Sequence, residues 1–203
     1  MSDIDDATEH NKAHWQGLVS FRLPPGFRGK PSIYVQLWWL VQGSLFAWSP
    51  QVLYGWRRFL LRIFGAQVGN GVLIRPSVRV TYPWKVTIGD YAWIGDDVVL
   101  YSLGIIEIGA HAVVSQRSYL CTGSHDYTKQ TFDIYAKTIR IGDEAWIATD
   151  VFIAPGVEIG RGTVVGARSS VFASLPPGMI AVGNPAKVIR TREMKDDSGK
   201  SVT

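Results

Sequence analysis

Residues 141–171 read IGDEAWIATDVFIAPGVEIGRGTVVGARSSV, and an aliphatic side chain returns there at Ile141, Ile147, Ile153, Ile159, Val165 and Val171. The period is six, which fits neither the 3.6 of a helical face nor the 2 of a strand with one buried side. Followed toward the N-terminus, the ladder passes Leu120, Val114, Ile108, Leu100, Ile94, Ile88, Val80, Ile74 and Val68. It slips by two residues between Val80 and Ile88 and again between Leu100 and Ile108. Four positions after each aliphatic residue comes a second, mostly small one, as at Val72, Ala92, Ala112, Ala145, Val151 and Ser169, with Trp84 the bulky exception. This is the pattern of a parallel β-helix: each hexapeptide supplies one short strand and one corner, three close a triangular coil, and the aliphatic position fills the interior. Glycine follows the aliphatic residue at 69, 89, 95, 109, 142, 160 and 166. A tight turn at the corner is the expected reason.

The ladder has one long break, CTGSHDYTKQTFDIYAKT at 121–138. A solenoid accommodates such an insertion as a loop thrown off a corner, and such loops commonly carry the site. His125 stands in this one, followed by Asp126 and Tyr127. His111 falls in an ordinary repeat and is expected to point outward without a role.

Outside the ladder, residues 1–30 are polar and turn-rich and lack the basic start and apolar core of a signal peptide. His10 and His14 are four apart, but no pattern places a third ligand beside them, so a solvated tail is expected there. From Pro31 to Trp56 there is no charged residue, and the segment contains Trp38, Trp39, Trp48 and Trp56. Its longest clean apolar run, Leu37 to Val41, is too short to span a bilayer, and Pro50 is expected to divide the stretch into two helices. The second, Val52 to Phe64, sets Arg57, Arg58 and Arg62 among large apolar residues. Two readings of 31–64 stand side by side: a cap over the open first coil, and a helix lying at a lipid headgroup surface. Residues 65–190 form the repeat domain, with Met179 to Ile189 returning beside the last coil, and 191–203 read as a disordered tail.

Among 203 residues Cys121 is the only cysteine, so neither a disulfide framework nor a cysteine metal site is available, and a reducing, cytoplasmic setting is the simplest expectation. A net charge of +4 favours anionic ligands, but no Lys/Arg block is dense enough for nucleic acid.

The ladder, the loop CTGSHDY at 121–127 and the ending PPGMIAVGNPAKVIR at 176–190 together resemble the hexapeptide-repeat acyltransferases. The ladder is similar to that of the galactoside and maltose O-acetyltransferases, and GWRRFLLRIFGAQVG at 55–69 resembles the colanic acid biosynthesis acetyltransferases. The resemblance implies an all-β, left-handed parallel β-helix, a homotrimer with the active site between neighbouring coils, and acetyl-CoA lying along one subunit's ladder. It implies His125 as catalytic base and acetyl-CoA contacts at Thr149, Ala167, Lys187 and Arg190, with Trp146 close to the same groove. Asp126 and Tyr127 are expected to orient the ring or meet the sugar. The galactoside branch has Thr and Lys where this chain has Phe172 and Ala173, and an acceptor-binding Asn where it has Gly95. That leaves Asp96 as a candidate for sugar hydroxyls. The expected reaction is O-acetylation of a sugar, on a lipid-linked oligosaccharide or exopolysaccharide precursor, with no metal. A γ-carbonic-anhydrase-like metalloenzyme is the first rival, but it needs three histidines where the coils offer only His111 and His125. A non-enzymatic scaffold is the second.

Overall fold

The structure is a computed structural model that describes residues 15–194. His10, His14 and residues 195–203 of the expected tail lie outside the described residues. The ladder folds as a parallel β-solenoid of about six turns, its short strands stacked in three sheets. The first sheet is built from Gln67–Val68, Val86–Ile88, Ile106–Ile108, Ile139–Ile141 and Glu158–Ile159. The second comprises Leu73–Ile74, Trp93–Ile94, Val113–Val114, Trp146–Ile147, Val164–Val165 and Met179–Gly183, closed by the antiparallel Ala186–Thr191. The third contains Arg79–Val80, Val99–Tyr101, Tyr119–Cys121, Phe152–Ile153 and Ser170–Val171.

In register the aliphatic positions form three unbroken columns. One of them runs Ile74, Ile94, Val114, Ile147, Val165, Ala181. All six are buried, and each large aliphatic contributes about 1.5–3 kcal/mol of transfer free energy. Six-residue spacing thus becomes one hydrophobic axis.

The three departures from the period share one corner. Val80, Leu100 and Leu120 pair directly in the third sheet, and the extra residues follow each of them before the chain re-enters the first sheet. The first slip holds a short helical turn at Pro83–Lys85; the long insertion is the third member of the stack. Side chains tie the members together: Tyr82 N donates to Ser102 Oγ at 2.8 Å, and Gly104 N to Thr122 Oγ1 at 2.8 Å. Trp84 is therefore no exception to the interior rule. It belongs to this corner, stacked on Tyr82 at 5.1 Å, with its indole N–H donating to Arg28 O at 2.7 Å.

The reason expected for the corner glycines is corrected. Positive φ falls two residues later, at Gly71, Tyr91, Asp97, His111, Glu144, Gly162 and Arg168, and likewise at Arg117 and Asp150 in the repeats that carry Ser115 and Ala148 in place of the glycine. The glycines are needed because coils approach closely: a Cβ at Gly89 would lie 2.5 Å from Ala110 N.

Before the solenoid come helix α1 (Ser32–Val41), a π-turn (Gln42–Phe46) and helix α2 (Tyr54–Ile63). Together they close the first coil, whose carbonyls have no preceding coil to meet. Trp38 Nε1 donates to Val80 O at 2.7 Å, Arg62 Nε to Val68 O at 2.9 Å, Arg58 Nη1 to Val72 O at 2.8 Å and Arg57 Nε to Ile74 O at 2.6 Å. All three edge strands are thereby satisfied, as buried backbone requires. Arg57, Arg58 and Arg62, for which a cap and a lipid surface both stood open, bond the carbonyls of the first coil. Among the described residues no helix is long and apolar enough to cross a membrane.

The expected tails are shorter than the sequence suggests. Gly17 N donates to Gln130 O at 2.7 Å, Lys85 Nζ to Phe27 O at 2.7 Å, and the ring of Phe21 lies 5.9 Å from that of His125. Residues 17–30 are thus laid against the stacked corner and its loop. At the other end the last strand reaches Thr191, and Arg192 Nη1 donates to Gly162 O at 2.8 Å. Residues 191 and 192 belong to the folded body.

Candidate active site

The insertion begins as a hairpin, Gly123–His125 paired antiparallel with Ile134–Ala136, and His125 sits opposite Ile134 at its far end. Its imidazole is held on two sides. The ring stacks on Phe132 at 4.2 Å with an interplanar angle of 9°, and Nδ1 lies 2.8 Å from Phe132 O. A carbonyl only accepts, so Nδ1 carries the proton and Nε2 keeps its lone pair. That is the tautomer a general base needs.

Asp126 does not orient the ring as expected. Its Oδ1 accepts from Thr128 N at 3.1 Å and from Thr128 Oγ1 at 2.5 Å, an Asx turn that fixes the loop. Those bonds hold its carboxyl below the usual range, led by the one from the Thr128 hydroxyl. The orienting group is the backbone of Phe132, seven residues on. Tyr127 is exposed beside the histidine. Cys121 lies half-buried on the same corner, and burial pushes its thiol up, away from the reactive thiolate.

The cofactor candidates lie elsewhere. On the outer face of the second sheet Leu73, Trp93, Val113, Trp146, Val164 and Ile180 stack in direct register. They form an apolar stripe, and Trp146 Nε1 donates to Ser115 Oγ at 3.0 Å. A groove of about 780 Å³ lies over its lower half, lined by Trp93, Gly95, Asp96, His111 and Trp146 among others. His111 therefore faces this groove, stacked on Tyr91 at 5.2 Å; its outward direction is as expected, its groove was not foreseen. Thr149 and Ala167 lie at the corner between the second and third sheets, where Arg168 N donates to Thr149 O at 2.9 Å. Asp96 is already engaged: Arg75 Nε donates to it at 2.8 Å and Ser77 Oγ at 3.2 Å.

Lys187 and Arg190 are three apart, which in a regular strand would put them on opposite faces. A register shift between Ile180 and Ala181 corrects this, so that Lys187 pairs with Val182 and Arg190 with Ile180. Ile180 and Val182 flank the buried Ala181, so both cations join the outer face, at the end of the apolar stripe. Neither has a hydrogen bond or ion pair among the described residues.

Sequence reading missed an aromatic ladder on the third sheet. Tyr101, Tyr119, Phe152 and Phe172 follow one another at ring separations of 5.9, 6.2 and 6.0 Å. Phe172, noted only as a departure from the galactoside pattern, extends it. Tyr119 and Phe152 precede a buried residue of their strand whereas Tyr101 and Phe172 follow one, so the aromatics fall in two outward columns that only the register between coils brings together. Among the described residues no three His, Cys, Asp or Glu side chains converge to hold a metal ion.

One chain does not bring all the candidates together. The His125 loop leaves the corner between the third and first sheets, whereas the apolar stripe lies on the second sheet, across the triangle.

A family profile described as bacterial transferase hexapeptide (six repeats) matches residues 138–173. The chain is 67% identical over 177 residues to WcaF of Escherichia coli (strain K12), named as a colanic acid biosynthesis acetyltransferase; the match covers 87% of this chain and 97% of WcaF. The fold is similar to that of the hexapeptide-repeat acetyltransferase VCA0836 of Vibrio cholerae O1 biovar eltor, solved with acetyl coenzyme A. There the TM-score is 0.72 at 26% identity, covering 78% of this chain and 87% of that one. It is equally similar to a galactoside acetyltransferase in complex with coenzyme A, with a TM-score of 0.72 at 25% identity and 82% of each chain covered. Ladder, loop and relatives agree: this chain belongs to the hexapeptide-repeat acetyltransferases.

Proposed function

We propose that this acetyltransferase moves the acetyl group of acetyl-CoA to a hydroxyl of a sugar in an exopolysaccharide or lipid-linked oligosaccharide precursor, with His125 as general base. The observation that carries the reading is the contact of His125 Nδ1 with Phe132 O at 2.8 Å, which leaves Nε2 free to accept a proton. As the acceptor oxygen attacks the thioester carbonyl, Nε2 takes its proton. Collapse of the tetrahedral adduct breaks the C–S bond, and the proton passes on to the leaving CoA thiolate.

The apolar stripe past Trp146 suits pantetheine, and Lys187 and Arg190 at its end suit phosphate. Because the His125 loop and this stripe lie on opposite sides of one solenoid, the reading includes a homotrimer in which the loop of one copy faces the groove of the next. It also includes a left-handed coil, as the family resemblance implies, and work at the cytoplasmic face of the membrane. Asp96, engaged by Arg75, would meet the sugar only with its remaining acceptor capacity. The similarity to WcaF supports an acceptor of the colanic-acid-like kind. Incubation with acetyl-CoA and a panel of sugars and lipid-linked glycans tests the reading, with CoA release followed. Transfer to none of them, or to an amine only, overturns it.

Arg190 offers a sharper test of the cofactor site. If it meets the 3′-phosphate of CoA, Arg190→Ala raises KM for acetyl-CoA by about 1–3 kcal/mol while sparing kcat, and does little with the 3′-dephospho analogue. Equal losses with both donors would assign Arg190 to the sheet edge alone.

A further inference from the structure

The cap is built inside out. On α1 the outward positions are Ile33, Leu37 and Leu40, and on α2 they are Trp56, Phe59 and Ile63, all exposed. Arg57, on the same helix as Phe59, is 0% exposed. A helix covering a solenoid end in water would show the opposite arrangement. The two outward faces are also joined. Trp56 Nε1 donates to Leu45 O at 2.9 Å, Trp56 stacks on Phe59 at 5.7 Å, and Tyr34 Oη donates to Ile63 O at 3.4 Å. Trp48, 86% exposed, and Val52, 78% exposed, extend the surface at the turn between the helices. Exposed apolar continuity on this scale marks a surface that is covered in use.

Charge indicates what covers it. From Trp15 to Gly89 there is no Asp or Glu, while nine Lys and Arg occur: Arg22, Arg28, Lys30, Arg57, Arg58, Arg62, Arg75, Arg79 and Lys85. Arg57, Arg58 and Arg62 donate to neutral acceptors, so their charge is not cancelled. Arg57 is buried and Arg58 half-buried within about one helix diameter, about 10 Å, of the apolar face, comparable with the screening length of physiological salt, and Arg62 is itself exposed. We propose that this face seats on the surface of an anionic lipid bilayer, its aliphatic and indole side chains entering the headgroup boundary while the arginine layer behind them is drawn to the lipid phosphates. A protein partner would need polar groups to specify it, and the only exposed polar residues of the two helices are Ser32, Gln36 and Arg62, none of them acidic. A second copy would bring two positive caps together.

Binding is read without any acetyl donor, so the proposal stands or falls separately from the catalytic reading. Full-length protein is sedimented with vesicles of phosphatidylethanolamine and phosphatidylglycerol at low salt, and with phosphatidylcholine vesicles alone. Strong co-sedimentation with the anionic vesicles is expected, weakened by high salt. The double variant Leu40→Gln/Trp48→Gln should lose about tenfold or more in partitioning, with its melting temperature unchanged because both side chains are exposed. Three results overturn the proposal: protein that stays in solution with anionic vesicles, binding that the double variant retains, or a concentration-dependent self-association that the double variant abolishes in the absence of vesicle binding.

Discussion

Replacing His125 with alanine is expected to lower kcat for acetyl transfer by about 10²–10⁴, the usual worth of a positioned general base, with little change in acetyl-CoA affinity. The geometry makes the expectation specific. Nδ1 is occupied by Phe132 O at 2.8 Å and the ring is pressed on Phe132 at 4.2 Å, so the variant removes one lone pair and leaves the hairpin's backbone pairing in place. His125→Gln should be nearly as slow, because an amide at that position can bond Phe132 O but cannot take a proton at neutral pH. Coenzyme A binding, measured by calorimetry, should survive in both, since the candidate donor stripe lies on the second sheet. A variant that keeps full kcat removes His125 from the chemistry. A variant that loses CoA binding and kcat together would show that the loop shapes the donor site.

The second large effect is on stability. Arg57 is wholly buried and has no carboxylate partner. Its guanidinium instead meets Ile74 O at 2.6 Å, Ser49 Oγ at 2.8 Å, Pro50 O at 2.9 Å and Gln51 O at 2.5 Å, with the Tyr54 ring 5.0 Å away. Burial pulls its pKa below the ordinary arginine value, yet a guanidinium keeps its proton. Truncation to alanine leaves Ile74 O and Gln51 O without this donor, while Pro50 O keeps Leu53 N at 3.0 Å and Ser49 Oγ still donates to Phe46 O at 2.6 Å, and it opens a cavity behind α2. At about 1–3 kcal/mol for each acceptor left dry, and with a cavity term added, a loss of at least about 3 kcal/mol is expected. For a chain of this length that corresponds to a fall in Tm of about 6–12 °C. Arg58→Ala, which removes a single bond to Val72 O, should cost far less. In a solenoid, where each coil is held by its neighbours, the damage begins at the open end. Amide exchange should therefore rise first in residues 67–80 and only later beyond Ile88. A Tm shift below about 2 °C would mean that water replaces the guanidinium, and the cap argument would fail.

The solenoid itself was legible in the sequence because its rule is one-dimensional. A side chain that must face the axis once per strand imposes period six wherever it occurs, so Ile141 through Val171 announce the coil without knowledge of any contact. The His125 loop was legible for the same reason, as the one long gap in a regular ladder, and the Lys187 and Arg190 ending by its motif. What the sequence could not specify depends on coil-to-coil register and on the far side of loops. Phe132 orients His125 through its carbonyl, and any residue has a carbonyl, so no residue type signals that role. Asp126 has the chemistry to orient the ring, but the nearer Thr128 N–H and hydroxyl claim it. Lys187 and Arg190 share a face only because a bulge resets the alternation. Composition placed Arg57, Arg58 and Arg62 in an apolar helix and left open whether they met lipid or protein. The tertiary structure turned them inward, because the first coil's carbonyls have no preceding coil to bond and a buried carbonyl without a donor costs more than a buried guanidinium that satisfies several.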